Sequence, residues 1–359
     1  MSEQSSIISR PELGQSSPGS GLSADNLGYE KGLLRQMSLT RKLRGLFKYL
    51  WVRLKGGPMS VNLEVTLLCN ATCDFCDYWK SKDPSKVTDY NYLDAIKKLN
   101  PMTVTLTGGE PMLNKQLPEV VRGIRESLGF VYIGMVTHGS LLTVERGMAL
   151  WEAGIDHISI SLNYMGPEHD QERGIDGLYG HIFSLVPELT KKGINVIFNT
   201  VIMRDNLDHL IPIAHMARSI GAKVSYSCYS DFKNGNETHL IESSHSDLLD
   251  NVIKDLVRVK SSLGNIVNSS WYLKQIPAYF ENTLPKSCKA AGKWLVQLTP
   301  EGNIKPCAEL PVISGYTDFK PVSKKIDCNE CWYSCRGESE ASLRVGRVWE
   351  LIVRAWKNT

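Results

Sequence analysis

The chain has 359 residues, 42% of them apolar, with 41 Lys and Arg against 38 Asp and Glu and a formal net charge of +3. That length holds one large α/β domain and a smaller one, and so slight an excess of charge argues against a nucleic-acid partner. No apolar run follows the polar start as a signal peptide would, and none approaches the roughly 18 residues of a membrane span, so a cytoplasmic, reducing location is expected; there, nine cysteines read as metal ligands or catalytic groups before they read as disulfides.

Residues 1–28, rich in Ser, Gly and other polar side chains, are expected to be disordered. Residues 29–58 read as a basic amphipathic helical segment. Within 33–55, Leu39, Leu43, Leu46, Phe47, Leu50 and Leu54 recur at helical spacing, and Arg41, Lys42, Arg44, Lys48, Arg53 and Lys55 supply much of the rest. Most such helices cover a core, so the apolar face is expected against the following domain. The alternative is peripheral contact with an anionic membrane.

From 59 to 232 short apolar runs alternate with helical patterns. Strands are expected at 61–68, 103–108, 131–137, 157–163, 195–202 and 223–228. Helices are expected near 89–99, 117–128, 142–152, 179–192 and 207–219, with Gly154, Gly193 and Gly221 ending three of them. Such alternation makes parallel βαβ units. Six units fit an α/β fold of the partial (β/α)6 TIM-like barrel type better than a full eight-fold one. An open doubly wound sheet is the alternative, although no G-x-G-x-x-G follows the first strand.

Residues 233–270 read as a helical linker, with a helix at 246–262. Residues 271–340 are loop-rich and hold five cysteines, so a small C-terminal cysteine-rich domain is expected there, with a metal to supply the stability its small core lacks. "VQLTPEGNI" within them predicts a hairpin turning at Pro300–Asn303. Residues 341–359 close the chain with an amphipathic helix near 343–356.

The chemistry concentrates in "LLCNATCDFCDYWK" (67–80), where Cys69, Cys73 and Cys76 follow the first strand directly. That is the C-terminal rim, where barrels of this kind place their sites. A structural zinc or a simple electron-transfer cluster wants four ligands. Three cysteines on one turn leave a fourth iron open, as a catalytic site requires, unless a remote residue completes the set. On the same rim "TLTGGEPML" sets Gly108, Gly109, Glu110 and Pro111 at the end of the second strand. Its glycines let a ligand approach the backbone, and the carboxylate beside them can accept from an ammonium group.

Together these two motifs resemble those of the radical S-adenosylmethionine (SAM) enzymes, over about residues 60–230. The resemblance implies a [4Fe–4S] cluster on Cys69, Cys73 and Cys76, whose open iron is chelated by SAM, and a Gly108–Glu110 stretch that holds the SAM ammonium. It implies lesser roles as well. Phe75 is similar to an aromatic near the adenine. Ser161 and Asn163 in "SISLN" resemble ribose contacts, Arg173 in "HDQERG" resembles a SAM-contacting arginine, and Asn199 resembles an inward polar group near the ribose. "VTHGS" (136–140) departs from the family's Thr-Asn-Gly, with His138 in place of the amide.

Cys288, Cys307 after Gly302, and Cys328-x2-Cys331-x3-Cys335 resemble the auxiliary-cluster domains called SPASM and twitch. Five cysteines favour one auxiliary [4Fe–4S] cluster, with the choice of four ligands open; a zinc held by four of them is the alternative. Cys228, ending the last barrel strand, is a candidate hydrogen donor to a substrate radical; the ordinary reading is a buried small hydrophobe.

The expectation is an enzyme that cleaves SAM reductively and abstracts hydrogen from a small-molecule or peptide substrate, in an oxidation or rearrangement, with a flavodoxin- or ferredoxin-type electron donor. A membrane-associated lipid substrate and a non-catalytic iron–sulfur electron carrier are the alternatives.

Overall fold

The computed structural model describes residues 38–81 and 92–341. The expectations for 1–28 and for a closing helix at 343–356 fall outside them. In chain order the elements are α1 (Leu39–Lys55), β1 (Ser60–Thr66), α2 (Tyr92–Leu99), β2 (Thr103–Gly108), α3 (Leu117–Ser127), β3 (Tyr132–Thr137), α4 (Val144–Ala153) and β4 (His157–Ser161). Then come α5 (Pro167–Arg173), α6 (Leu178–Lys191), β5 (Val196–Ile202), α7 (Leu210–Ser219), β6 (Lys223–Cys228), α8 (Ser246–Leu263), α9 (Ser270–Lys274) and α10 (Ile276–Phe280). The chain continues through β7 (Leu295–Leu298), β8 (Asn303–Lys305), β9 (Ser314–Gly315) and α11 (Ser334–Glu340).

The strands form one sheet in the order β6-β5-β4-β3-β2-β1-β7-β8-β9, parallel from β6 through β7. All six expected barrel strands are present, and they run in the sequential order of a partial TIM-like barrel rather than the reversed order of a doubly wound sheet. The hairpin expected in the cysteine-rich segment is β7–β8. It does more than the local pattern foretold. Gln297 of β7 sits in register with Asn62 of β1, so the C-terminal segment continues the barrel sheet at its first strand.

Alternation along each strand assigns the two faces of the sheet. Val61, Leu63 and Val65 of β1, Ile133 and Met135 of β3, and Val224 and Tyr226 of β6 join the core beneath the helices. The other face lines the lumen and is more polar, with Asn62, Glu64 and Gln297 on β1 and β7.

The first helix departs from expectation. α1 packs on the domain with its polar and small side: Gly45 and Val52 are buried, while Leu46, Phe47 and Leu54 are 55%, 70% and 85% exposed. The cause is specific anchoring. Arg41 forks onto Asp156, with Nη1 2.8 Å from Oδ1 and Nη2 2.9 Å from Oδ2, and it also donates to the Val131 carbonyl. Lys48 Nζ donates to the Phe130 carbonyl at 2.7 Å, which leaves the amine lowered to about 8 by burial. At Gly45 a β-carbon would stand 2.7 Å from the Phe130 ring, so only glycine lets the helix lie this close. No helix among the described residues is long and apolar enough to cross a membrane.

Candidate active site

The parallel strands carry the two rim motifs to one end. The cysteine loop leaves β1 and is fixed by backbone bonds from Thr72 N to Arg173 O (2.9 Å) and from Cys76 N to Cys73 O (3.3 Å), and by Trp79 Nε1 donating to Cys73 O at 2.9 Å. The glycine turn after β2 locks onto the start of that loop, with Gly109 N donating to Thr66 O at 2.9 Å and Glu110 N to Leu68 O at 2.7 Å. Gly108 has φ +123°, and a β-carbon on Gly109 would lie 2.0 Å from Leu68 O. Glycine is therefore demanded at this pair by the approach of two backbones, one of which leads into the cysteines.

Glu110 is fully buried, and both of its oxygens accept hydrogen bonds. Oε1 accepts from Met112 N (2.9 Å) and Thr137 Oγ1 (2.7 Å). Oε2 accepts from His138 N (2.9 Å) and lies 3.1 Å from His138 Nε2. Burial raises its pKa, against the pull of these hydrogen bonds. The His138 tautomer follows from its partners. Ser140 N donates to Nδ1 at 3.2 Å, so the ring proton is on Nε2, facing Glu110 and Asn70 Oδ1. Burial holds His138 down to about 3, a neutral ring. The His138 backbone N–H closes the cage around Glu110, and its ring, which stands in place of the family's amide, packs beside Oε2 and bonds Asn70. The carboxylate braces the turn.

The three thiols stand close enough for charge on Cys73 and Cys76 to raise Cys69, whose pKa is pushed up to about 11, chiefly by burial. Arg173 Nη1 lies 3.4 Å from Cys73 Sγ and its guanidinium 5.3 Å over the Phe75 ring. Burial opposes its charge, but Glu172 and Cys73 raise its pKa above the ordinary arginine value. Glu172 in turn is held low by Arg173, His169 and Asn163 against the effect of burial. Asn163, expected at a ribose, donates to Glu172 and accepts from Val201 N at 2.9 Å, so its amide ties β4 to β5. Ser161 and Asn199 are register partners on the lumen face, and neither side chain has a hydrogen-bond partner among the described residues. Phe75 meets Tyr229 and His239 edge-on at 6.4 and 6.3 Å, and Pro111 is buried at the start of the short turn after Glu110.

Cys228 is placed otherwise than a hydrogen donor to the lumen requires. It is in register with Ile202, on the outer face of the sheet, fully buried, with Sγ 4.0 Å from Tyr272 Oη. The period-2 alternation of β6 turns its thiol into the core with Val224 and Tyr226.

Several site residues escaped the sequence reading. Glu64, inside the apolar run of β1, is buried in the lumen, accepts from Tyr78 Oη and from Gln297 Nε2 (2.6 Å), and has its pKa raised by burial. A charge amid "VNLEV" at a lumen position was the available signal. Lys233 Nζ lies 3.9 Å from the Tyr78 ring centroid. His239 bridges Asp74 (Nε2, 2.9 Å) and Asp205 (Nδ1, 3.0 Å), and Asn234 Nδ2 donates to Asp74 O at 3.0 Å, so the loop after β6 is fastened across the cysteine loop. Nothing local marks that fastening.

All five C-terminal cysteines line one cavity, under β7 and beside Asn62 of β1. Burial raises the thiols of Cys288, Cys307, Cys331 and Cys335, the last to about 12, and a metal would displace those protons. Arg336 is buried here as Arg173 is at the first set: its Nη1 donates to the Cys331 carbonyl at 2.5 Å, and against the effect of burial Glu340, then Cys288 and Cys331, raise its pKa. Among the described residues no three His, Cys, Asp or Glu side chains converge on a single ion position. A cubic cluster does not require that, since its cysteines bind separate irons. Three adjacent thiols with a buried arginine, and five thiols around one cavity, fit such groups.

Residues 63–217 match the family model described as the radical SAM superfamily. The chain carries a radical SAM domain. The cofactors of that superfamily are a [4Fe–4S] cluster and SAM, and Cys69, Cys73 and Cys76 are the three thiols of this domain's rim. Among curated relatives, the PqqA peptide cyclase of Ruegeria pomeroyi is 24% identical over 288 residues, covering 77% of this chain and 74% of that one. The GTP 3',8-cyclase of Aquifex aeolicus is 28% identical over 217 residues, covering 55% and 65%. Among solved structures, Streptococcus suis SuiB bound to precursor peptide SuiA has a TM-score of 0.57 at 16% identity, covering 79% of this chain and 69% of that one. The anSMEcpe structure with bound AdoMet and Cp18Cys peptide has a TM-score of 0.55 at 16% identity, covering 73% and 78%. At such identities the structures speak for the fold.

Proposed function

We propose that this protein is a radical SAM enzyme that modifies a peptide, by oxidation or rearrangement, beginning with hydrogen abstraction. The observation that carries the reading is the joining of the Cys69–Cys76 loop to the Gly108–Glu110 turn on one rim, with a second cysteine cavity built onto the first barrel strand. When bound and reduced, by a flavodoxin- or ferredoxin-type donor, the cluster supplies the electron that cleaves SAM to methionine and a 5′-deoxyadenosyl radical.

The residues of the chain bind and orient. Gly108 and Gly109 bring the turn against the cysteine loop, Arg173 offers a positive charge to Cys73, and Ser161 and Asn199 present to the lumen polar groups unpaired among the described residues. The C-terminal cysteine cavity, with Arg336, is the seat of an auxiliary [4Fe–4S] cluster. A second cavity, of about 470 Å³, opens beside Cys328 and is lined by Asp231, Tyr279, Lys286 and Glu330, on the auxiliary side of the molecule. Two curated relatives named PqqA peptide cyclase support a peptide as the substrate class.

The test is anaerobic reconstitution, then SAM and a strong reductant, beside a Cys76→Ala control. 5′-Deoxyadenosine from the parent protein alone is expected; no product at full iron and sulfide content would leave an electron carrier. Deuterium passing from a labelled peptide into 5′-deoxyadenosine supports the substrate class. Transfer from a nucleotide and never from peptides would overturn it.

A further inference from the structure

The unexplained surface is α1. On a helix of about 100° per residue its exposed Leu39, Leu43, Leu46, Phe47, Leu50, Trp51 and Leu54 fall within an arc of about 140°. Arg44 and Lys55 flank that arc on one side, Lys42 and Arg53 on the other. The helix has six basic residues and no acidic one, twice the net charge of the whole chain. Its opposite side is pinned by Arg41, Gly45 and Lys48, so the apolar stripe is held outward. A contiguous apolar face of this size is a contact surface.

We propose that α1 docks this protein on an anionic membrane surface, lying in the interface with its leucines, Phe47 and Trp51 in the acyl boundary and the flanking Arg44 and Lys55 on lipid phosphates. Charge selects this occupant. A second copy would bring another all-basic helix. The other apolar-rich stretch of the chain, residues 342–359, itself carries four basic residues and one acidic one. An anionic lipid surface satisfies both the apolar stripe and its basic edges.

The docking face lies away from the candidate active site. The partners of α1, at Phe130, Val131, Asp156 and Trp294, immediately precede β3, β4 and β7, whereas the cysteine loop leaves the opposite ends of the strands. The helix therefore tethers the enzyme and leaves the rim facing the aqueous side.

The experiment is sedimentation of the reconstituted full chain with vesicles of phosphatidylcholine alone and of phosphatidylcholine with phosphatidylglycerol. Binding to the anionic vesicles only, weakening as salt rises, is expected. Phe47→Glu with Leu50→Glu should abolish it. Arg44→Gln with Lys55→Gln should weaken it roughly 30-fold. SAM cleavage should be unchanged in both variants. No binding, equal binding to both vesicle types, or a salt-stable dimer that Phe47→Glu/Leu50→Glu dissociates would overturn the proposal.

Discussion

Replacing Glu110 with Gln separates two roles for the carboxylate. As a direct partner of the SAM ammonium, Glu110 would matter only when SAM is present. The structure instead surrounds it with three hydrogen-bond donors, two of them the backbone N–H groups of Met112 and His138, one on each oxygen. Gln offers one oxygen and one NH2 group. Whichever way it turns, the NH2 confronts a backbone N–H that cannot rotate. One buried N–H and the amide donor itself then go unpaired, at about 1–3 kcal/mol each. The amide regains part of this, because it escapes the cost of burying a charge. A net loss of about 3 kcal/mol remains, or about 4 °C in melting temperature for a chain of this length. The measurement is thermal unfolding of the cluster-free protein without SAM, parent against Glu110→Gln. Equal melting temperatures, together with lost SAM binding, would refute the bracing role and return the carboxylate to the ligand.

Gly109→Ala places a methyl 2.0 Å from Leu68 O and must part the glycine turn from the cysteine loop; a cost of about 3 kcal/mol and lost 5′-deoxyadenosine formation are expected, checked by unfolding and product assay. Of the five cysteines on the C-terminal cavity a [4Fe–4S] cluster needs four. Iron analysis of five single Cys→Ala variants should therefore find one that keeps the parent content and four that each lose about four irons. His157 is held neutral by burial, its pKa lowered to about 4 from 6.5. A folded value below the unfolded one stabilises above pH 6.5 and is lost as pH falls from 6.5 towards 4, so at most roughly 3 kcal/mol disappears in that window. Stability against pH should flatten there in His157→Phe.

The six barrel strands and the two rim motifs were legible because their signals are local. Alternation, helical spacing, glycine at turns and three cysteines in eight positions need no partner to be read. A pattern, however, says which residues share a face and not what that face meets. The leucines of α1 mark one stripe, yet Asp156 and Phe130, far along the chain, decided that the opposite stripe is buried. Glu110 looked free for a ligand until Thr137 and His138 were folded against it. Cys228 ended the expected strand, but register with Ile202 turned its thiol to the core. Five cysteines spread over nearly fifty residues converged because β7 pairs with β1, and His239 crosses to Asp74 over a loop that no periodicity encodes. Short-range sterics and burial patterns write themselves into a sequence; pairings between distant segments exist only once the sheet has closed.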